Sequence, residues 1–298
     1  MNVINYPFDK AMLSRLSIHY LLLLVITLTA CQSHSKTNYQ TNFSNTYNRV
    51  LSTGIIRCGY LTYPPYCIKD PNTGTLSGFF VDITEKVGQK LGLKIVWAEE
   101  VGYESLFEAL RTDRFDLFAS GLWPNADRAQ VGDFSIPLFY SAVKAYGRKD
   151  ESRFTNLKTI NSLAVKIAVI DSSMEDLIAK EDYPLAKRIS LTQLSPFSQN
   201  LLNVITKKAD ITFAEPGVIK LFLKHNPNTL KDLAPSQLLR VFGNTFVFKQ
   251  GQIEFKNMIN TVLEEMLNSG EIEKLLNKYK VPADSYYCVG TPYTIPIK

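Results

Sequence analysis

Two short segments of this 298-residue chain carry chemically complementary groups. Gly121-Leu122-Trp123-Pro124-Asn125-Ala126-Asp127-Arg128-Ala129 places a guanidinium where a strand turns into a helix. Ala214-Glu215-Pro216-Gly217 places a carboxylate at a second such junction. Arg128 can form two parallel charge-assisted bonds to a carboxylate, which a lysine cannot reproduce. Glu215 can accept an ammonium group. A fold that faced the two across a cleft would hold a zwitterion by both ends. Each has a plainer alternative. Arg128 would be an exposed helix arginine paired with Asp127 or Asp133, an arrangement worth little. Glu215 would be a capping carboxylate for the helix that begins at Pro216.

The elements that must position these groups alternate along the chain. Residues 55–61 form an apolar run stopped by Tyr63-Pro64-Pro65. Phe80, Ile83, Val87 and Leu91 recur at helical steps up to Gly92. Strands are predicted at 93–97 and 115–120, with Tyr103, Leu106, Phe107 and Leu110 at helical spacing between them. A second set follows: strands at 166–170, 188–192 and 211–214, and a helix with Pro216 in its first turn. Ser172-Ser173-Met174-Glu175 fits a capping box. Such alternation predicts an α/β fold with parallel sheets covered by helices. Residues 141–148 and 239–248 read as two extended crossings, so the second lobe is inserted into the first. The predicted organisation is lobe 1 over 50–144, lobe 2 over 145–245, and a return to lobe 1 plus a C-terminal tail over 246–298.

The N-terminus speaks for export. Lys10 and Arg15 precede the apolar run 20–28, which ends in Leu28-Thr29-Ala30-Cys31. That is the pattern of a secretory signal over residues 1–30. The run is about half the roughly 20 residues a membrane-spanning helix needs. Cysteine directly after Leu-Thr-Ala resembles a bacterial lipobox, with Cys31 the lipidated first mature residue. Residues 31–49, rich in Ser, Thr and Asn, then read as a flexible tether. In an oxidising compartment two of the remaining cysteines should bridge. Cys58 lies in an apolar strand and reads as a buried free thiol, which leaves Cys67 and Cys288. The formal net charge of +5 is spread along the chain and argues neither for nucleic acid nor for a membrane-binding patch, and no nucleic-acid partner is expected. His19, His34 and His225 are scattered, no metal-ligand spacing exists, and no cofactor is expected.

In its ordered motifs the chain resembles the bacterial extracellular solute-binding proteins of family 3, the polar amino-acid type of periplasmic binding protein. The resemblance runs from Ile55 to about Lys280. It is carried by Tyr63-Pro64-Pro65-Tyr66, Gly78-Phe79-Phe80-Val81-Asp82-Ile83, Phe115-Asp116-Leu117, Gly121 with Arg128, Asp133-Phe134-Ser135, Lys208-Ala209-Asp210 and the segment 270–279. It implies a two-lobed type II flytrap hinged on two crossing strands. Arg128 then matches the carboxylate-binding arginine, and Glu215 stands where an aspartate usually takes the amine. The turn Ser172, Ser173, Met174 supplies amides to the carboxylate, a role that needs no particular side chain. Tyr63 and Tyr103 sandwich the ligand's side chain, although Tyr103 also shares a helical face with Leu106 and Leu110. Trp123 replaces a small hydroxyl residue, and such π-rich walls favour a basic or aromatic amino acid.

The implied function is that of a lipid-anchored, monomeric binding protein on the periplasmic side of the envelope. It would close on an amino acid and pass it to the permease of an ABC importer, with no catalysis. Two rivals share the fold: a cyclohexadienyl-dehydratase-like enzyme acting through Glu215, and a ligand-sensing envelope lipoprotein. Gln32 after Cys31 suits an outer-membrane location, which fits poorly with feeding an inner-membrane permease.

Overall fold

The computed structural model describes residues 45–154, 156–279 and 286–288. The predicted signal peptide, Cys31 and most of the tether lie outside the described residues. The described chain begins earlier than the tether reading allows. Asn45 caps α1 (Thr46–Thr53), accepting from the Tyr47 N–H at 3.0 Å. The Thr46 N–H donates to Gln252 Oε1 at 2.8 Å, and Val50 is fully buried. Val50 and Tyr47 pack this helix against the core, although the segment's composition is otherwise that of a linker.

The strands are β1 (Ile55–Tyr60), β2 (Ile68–Lys69), β3 (Leu76–Ser77), β4 (Lys94–Glu100), β5 (Leu117–Leu122), β6 (Gly132–Phe134), β7 (Phe139–Arg148), β8 (Lys166–Ile170), β9 (Lys187–Leu191), β10 (Ile211–Ala214), β11 (Leu230–Asp232), β12 (Arg240–Lys249) and β13 (Tyr286–Cys288). The helices after α1 are α2 (Phe79–Leu91), α3 (Ser105–Arg111), α4 (Ala126–Ala129), α5 (Met174–Asp182), α6 (Phe197–Ile205), α7 (Pro216–His225), α8 (Ile253–Asn268) and α9 (Glu271–Lys278). None of these is long and apolar enough to cross a membrane.

The strands run in the order β4-β1-β5-β12-β7-β10-β8-β9. Parallel pairs β4/β1/β5 form the core of one lobe and β9/β8/β10 that of the other. The two longest strands join the halves. β12 pairs with β7 through Arg240 to Asn244, then with β5 from Thr245 onward. β7 pairs with β12 up to Val143, then with β10 from Lys144 onward. Each strand therefore changes lobes where it changes partner, which leaves two crossings for a cleft to open about.

Several sequence motifs turn out to be scaffold. Asp116, just before β5, accepts the Arg57 N–H at 2.8 Å and the guanidinium groups of Arg57 and Arg49. In the other lobe Asp210, just before β10, accepts the Lys166 N–H at 2.8 Å and Arg153 Nη2 at 2.5 Å. The same device pins Arg57 within β1 and Lys166 at the start of β8. Asp82 on α2 accepts from Lys278 Nζ at 2.5 Å and the Tyr279 hydroxyl at 2.7 Å, fastening the C-terminal helix onto the first lobe. Phe79, Phe80, Ile83 and Val87 meanwhile bury the inner face of α2, at about 1.5–3 kcal/mol for each side chain.

Candidate functional site

β5 delivers the first half of the site. Gly121 has φ +75°, and a Cβ there would stand 2.1 Å from Phe80 Cζ, so the strand end can approach that ring only as glycine. Asn125 caps α4 by accepting the Arg128 N–H at 2.8 Å. This turns Arg128 inward, where it is 8 % exposed. Its Nη1 donates to the Trp123 carbonyl at 2.7 Å and its Nη2 to the Ser172 carbonyl, on the other lobe, at 2.9 Å. Asp127 and Asp133 do not pair with it. Asp133 instead accepts the Gly251 N–H at 2.9 Å and lies 3.6 Å from Lys256. Burial pushes the Arg128 pKa down against the charges of Tyr103 and Glu175, and no acidic side chain among the described residues lies within ion-pair distance of it.

β10 delivers the second half. Glu215 is 2 % exposed and makes no cap bond to α7, so the capping reading does not hold. The hydroxyls of Ser141 and Tyr63 bond its carboxyl group, while Oε2 has no partner. Burial pushes its pKa up to about 7 against those hydrogen bonds, with a small further rise from Glu175. Arg128 and Glu215 line one cavity of ≈ 50 Å³, together with Tyr63, Tyr103, Gly121, Trp123 and Met174. A space of this size holds only a few waters.

The 172–174 turn differs from expectation. The helix cap is Ser173, whose Oγ accepts the Asp176 N–H at 3.3 Å, while Asp176 Oδ2 accepts the Ser172 N–H at 3.3 Å. The capping box is thus shifted by one residue from the Ser172–Glu175 reading. Asp176 rather than Glu175 fits because Arg188 and Lys180 hold its carboxylate, each at 2.6 Å. The amides of Ser172 and Ser173 are engaged by Asp176 and the Ile170 carbonyl, and neither residue lines the cavity. Ser172 instead contributes its carbonyl to Arg128 and its hydroxyl to Glu104.

Tyr103 lies ahead of α3 rather than on its apolar face, which frees its ring for the cavity. Tyr63 stacks on Tyr66 at 6.2 Å and meets Phe197 of the other lobe edge-on at 5.5 Å. Trp123 lines the cavity but is also packed within its lobe. It stacks on Phe242 at 4.7 Å and belongs to the apolar cluster of Val143, Phe154, Ile167 and Phe213. Its Nε1 donates to Asn244 Oδ1 at 3.0 Å. The indole is thus lobe packing as much as ligand wall.

Three residues escaped the sequence reading. Glu175 is 4 % exposed and lines the cavity. Asn244 on β12 and Ser141 on β7 link across the crossing strands, Asn244 Nδ2 donating to Ser141 Oγ at 2.8 Å. A chain of hydrogen bonds therefore runs from Trp123 through Asn244 and Ser141 to Glu215. Asn244 and Ser141 sit inside strands, where nothing in their local pattern marks them. Glu175 carried a signal, a carboxylate beside Ser172 and Ser173, but it was absorbed by the capping motif.

Cys58 is a buried free thiol. Of the expected Cys67–Cys288 bridge, the Cys67 end is likewise a free thiol, packed with Tyr60 and Val81. The Cys288 side chain lies outside the described residues, although its backbone pairs with Phe139 in β13. No group of metal-ligating side chains occurs among the described residues.

Two α/β lobes on two crossing strands, with a buried cation facing a buried carboxylate, define a type II solute-binding protein. The chain belongs to the bacterial extracellular solute-binding proteins, family 3, whose model matches residues 56–282. It is 26 % identical over 255 residues to a "Probable histidine-binding protein" of Campylobacter jejuni, covering 85 % of this chain and 93 % of that one. It is 25 % identical over 265 residues to the "Arginine-binding extracellular protein ArtP" of Bacillus subtilis, covering 87 % and 97 %. Among solved structures it is similar to an ancestral amino acid-binding protein described as a precursor of cyclohexadienyl dehydratase. The TM-score is 0.69 at 24 % identity, covering 79 % of this chain and 99 % of that one.

Proposed function

We propose that this protein is the lipid-anchored binding component of an ABC amino-acid importer, tethered through Cys31 on the periplasmic side of the envelope and acting as a monomer. Its ligand is an amino acid, with the α-carboxylate on Arg128 and the α-amine on Glu215. One observation carries this reading. A buried guanidinium without an ion-pair partner among the described residues shares a cavity with a buried carboxyl oxygen that has no hydrogen-bond partner. A buried unpaired cation is costly, so an anion that reaches Arg128 is bound favourably. The relatives named for histidine and arginine support the ligand class. Since each lobe supplies half of the contacts, ligand favours the closed state and shifts the population toward it. A thermal-shift screen against the common amino acids tests this, because ligand that binds the native state raises the melting temperature. The reading fails if no amino acid raises it.

A second reading rests on Glu215 itself. A buried carboxyl whose pKa stands near 7 has the properties of a general acid, the group a dehydratase needs. Incubation with prephenate or arogenate separates the readings: turnover lost in Glu215→Gln would make the protein an enzyme, and absence of turnover leaves it a binding protein.

A further inference from the structure

The charges around the cavity do not balance. Arg128 is its single cation among the described residues, while two carboxyl groups, Glu175 and Glu215, line it. For one amino-acid backbone, Arg128 and Glu215 suffice as partners for the two charged ends. Glu175 is then surplus. It projects from the first turn of α5, and its neighbour Asp176, not Glu175, closes the helix cap. It forms no ion pair among the described residues, unlike Asp176, which holds Arg188 and Lys180.

The Glu175 carboxyl bonds the Ser173 hydroxyl and its own backbone N–H and feels the Arg128 charge, yet two buried carboxyl groups share that one cation, a cost that a second cation relieves. We propose that Glu175 is a second cation-accepting group of this cavity, so that the ligand is an amino acid with a positively charged side chain. This rests on the amino-acid-binding reading and narrows it to the dibasic class.

The groups facing Glu175 support the assignment. They are Arg128 from α4, Tyr103 from the turn before α3, Tyr63 from the loop after β1, and Glu215 from the end of β10. Its own helix adds Asp176, already paired. Tyrosine faces stabilise a cation held near a carboxylate, so the two rings and two carboxyl groups form a wall suited to an ammonium or guanidinium. Burial pushes the pKa of Glu175 up, and that of Glu215 up to about 7. Two buried carboxyl groups that share the single cation Arg128 therefore hold protons more readily than free carboxylates do. An arriving cation favours their ionised forms and drives a proton out to solvent. A neutral amino acid supplies no such side-chain charge.

Calorimetry at pH 7 in two buffers of different ionisation heat, with lysine, arginine, glutamine and glutamate as ligands, tests the proposal. The expected result is that lysine or arginine binds about tenfold or more tightly than glutamine, the scale of one charge-assisted pair, and releases protons on binding. Glu175→Gln should bring lysine and arginine down to the affinity of glutamine and reduce the proton release. Glu175→Asp, which keeps the charge, should retain the preference and guards against a variant that merely misfolds. The proposal is overturned if glutamine equals lysine in the wild type, or if Glu175→Gln leaves their ratio unchanged, and amino-acid binding stands in either case. Binding of no amino acid at all overturns both readings.

Discussion

Glu104 and Gln193 hold each other across the two lobes. The Glu104 N–H donates to Gln193 Oε1 at 2.9 Å, and Gln193 Nε2 donates back to Glu104 Oε2 at 3.1 Å. The Ser172 hydroxyl adds a third bond to the same carboxylate. These contacts join elements that meet only when the lobes do, and neither residue lines the cavity.

Gln193→Ala should therefore weaken ligand binding without touching ligand. Two partly exposed hydrogen bonds lost from the closed state are worth about 1 kcal/mol, roughly fivefold in affinity. Solution scattering should show a larger mean radius for the unliganded variant. An affinity equal to wild type would mean that the pair contributes nothing to closure.

Arg128→Lys should reduce amino-acid affinity more than tenfold, because one ammonium cannot reproduce the paired geometry of a guanidinium. The structure adds a second consequence. Arg128 also holds the Trp123 and Ser172 carbonyls, so the unliganded melting temperature should fall by a few degrees as well. Titration calorimetry and a melt of the same sample check both effects.

Glu215 should leave a signature in stability against pH. Its pKa in the folded protein stands at about 7, above the ordinary value of 4.5. The folded state thus holds the proton more tightly than the unfolded state. Its contribution to stability is fully present below about pH 4.5 and is lost as pH rises through 7. Glu215→Gln should flatten this fall and be the more stable protein at pH 8, by on the order of 2–3 kcal/mol. Denaturant melts at pH 5 and pH 8 measure the difference, and parallel slopes for both proteins would contradict it.

Trp123→Phe should retain the stack on Phe242 while leaving Asn244 Oδ1 without its donor. An unsatisfied buried acceptor costs about 1–3 kcal/mol. Stability should fall by that amount while the ranking of ligands is kept. A changed ranking would show that the indole in the cavity, rather than the lobe packing, governs selectivity.

The fold was legible because its signals are local and repeated. The helical spacing of Phe80, Ile83, Val87 and Leu91, the strand runs, and Pro216 in the first turn of its helix all survive as α2, β8, β10 and α7. Arg128 and Glu215 were legible for the same reason, since each sits at a strand-to-helix junction that its own neighbours define. The sequence also contained every residue of the site. It did not determine which of two adjacent acids, Glu175 or Asp176, would close the helix cap and which would enter the cleft. Tertiary structure decided that, because Lys180 from the next turn and Arg188 from β9 capture Asp176. Asn244 and Ser141 became part of the site only when β7 and β12 paired in antiparallel register, 103 residues apart in sequence. Trp123 read as a wall until Phe242 arrived to stack on it. Propensity and periodicity act over a few residues, whereas burial and charge pairing depend on what distant segments bring into contact.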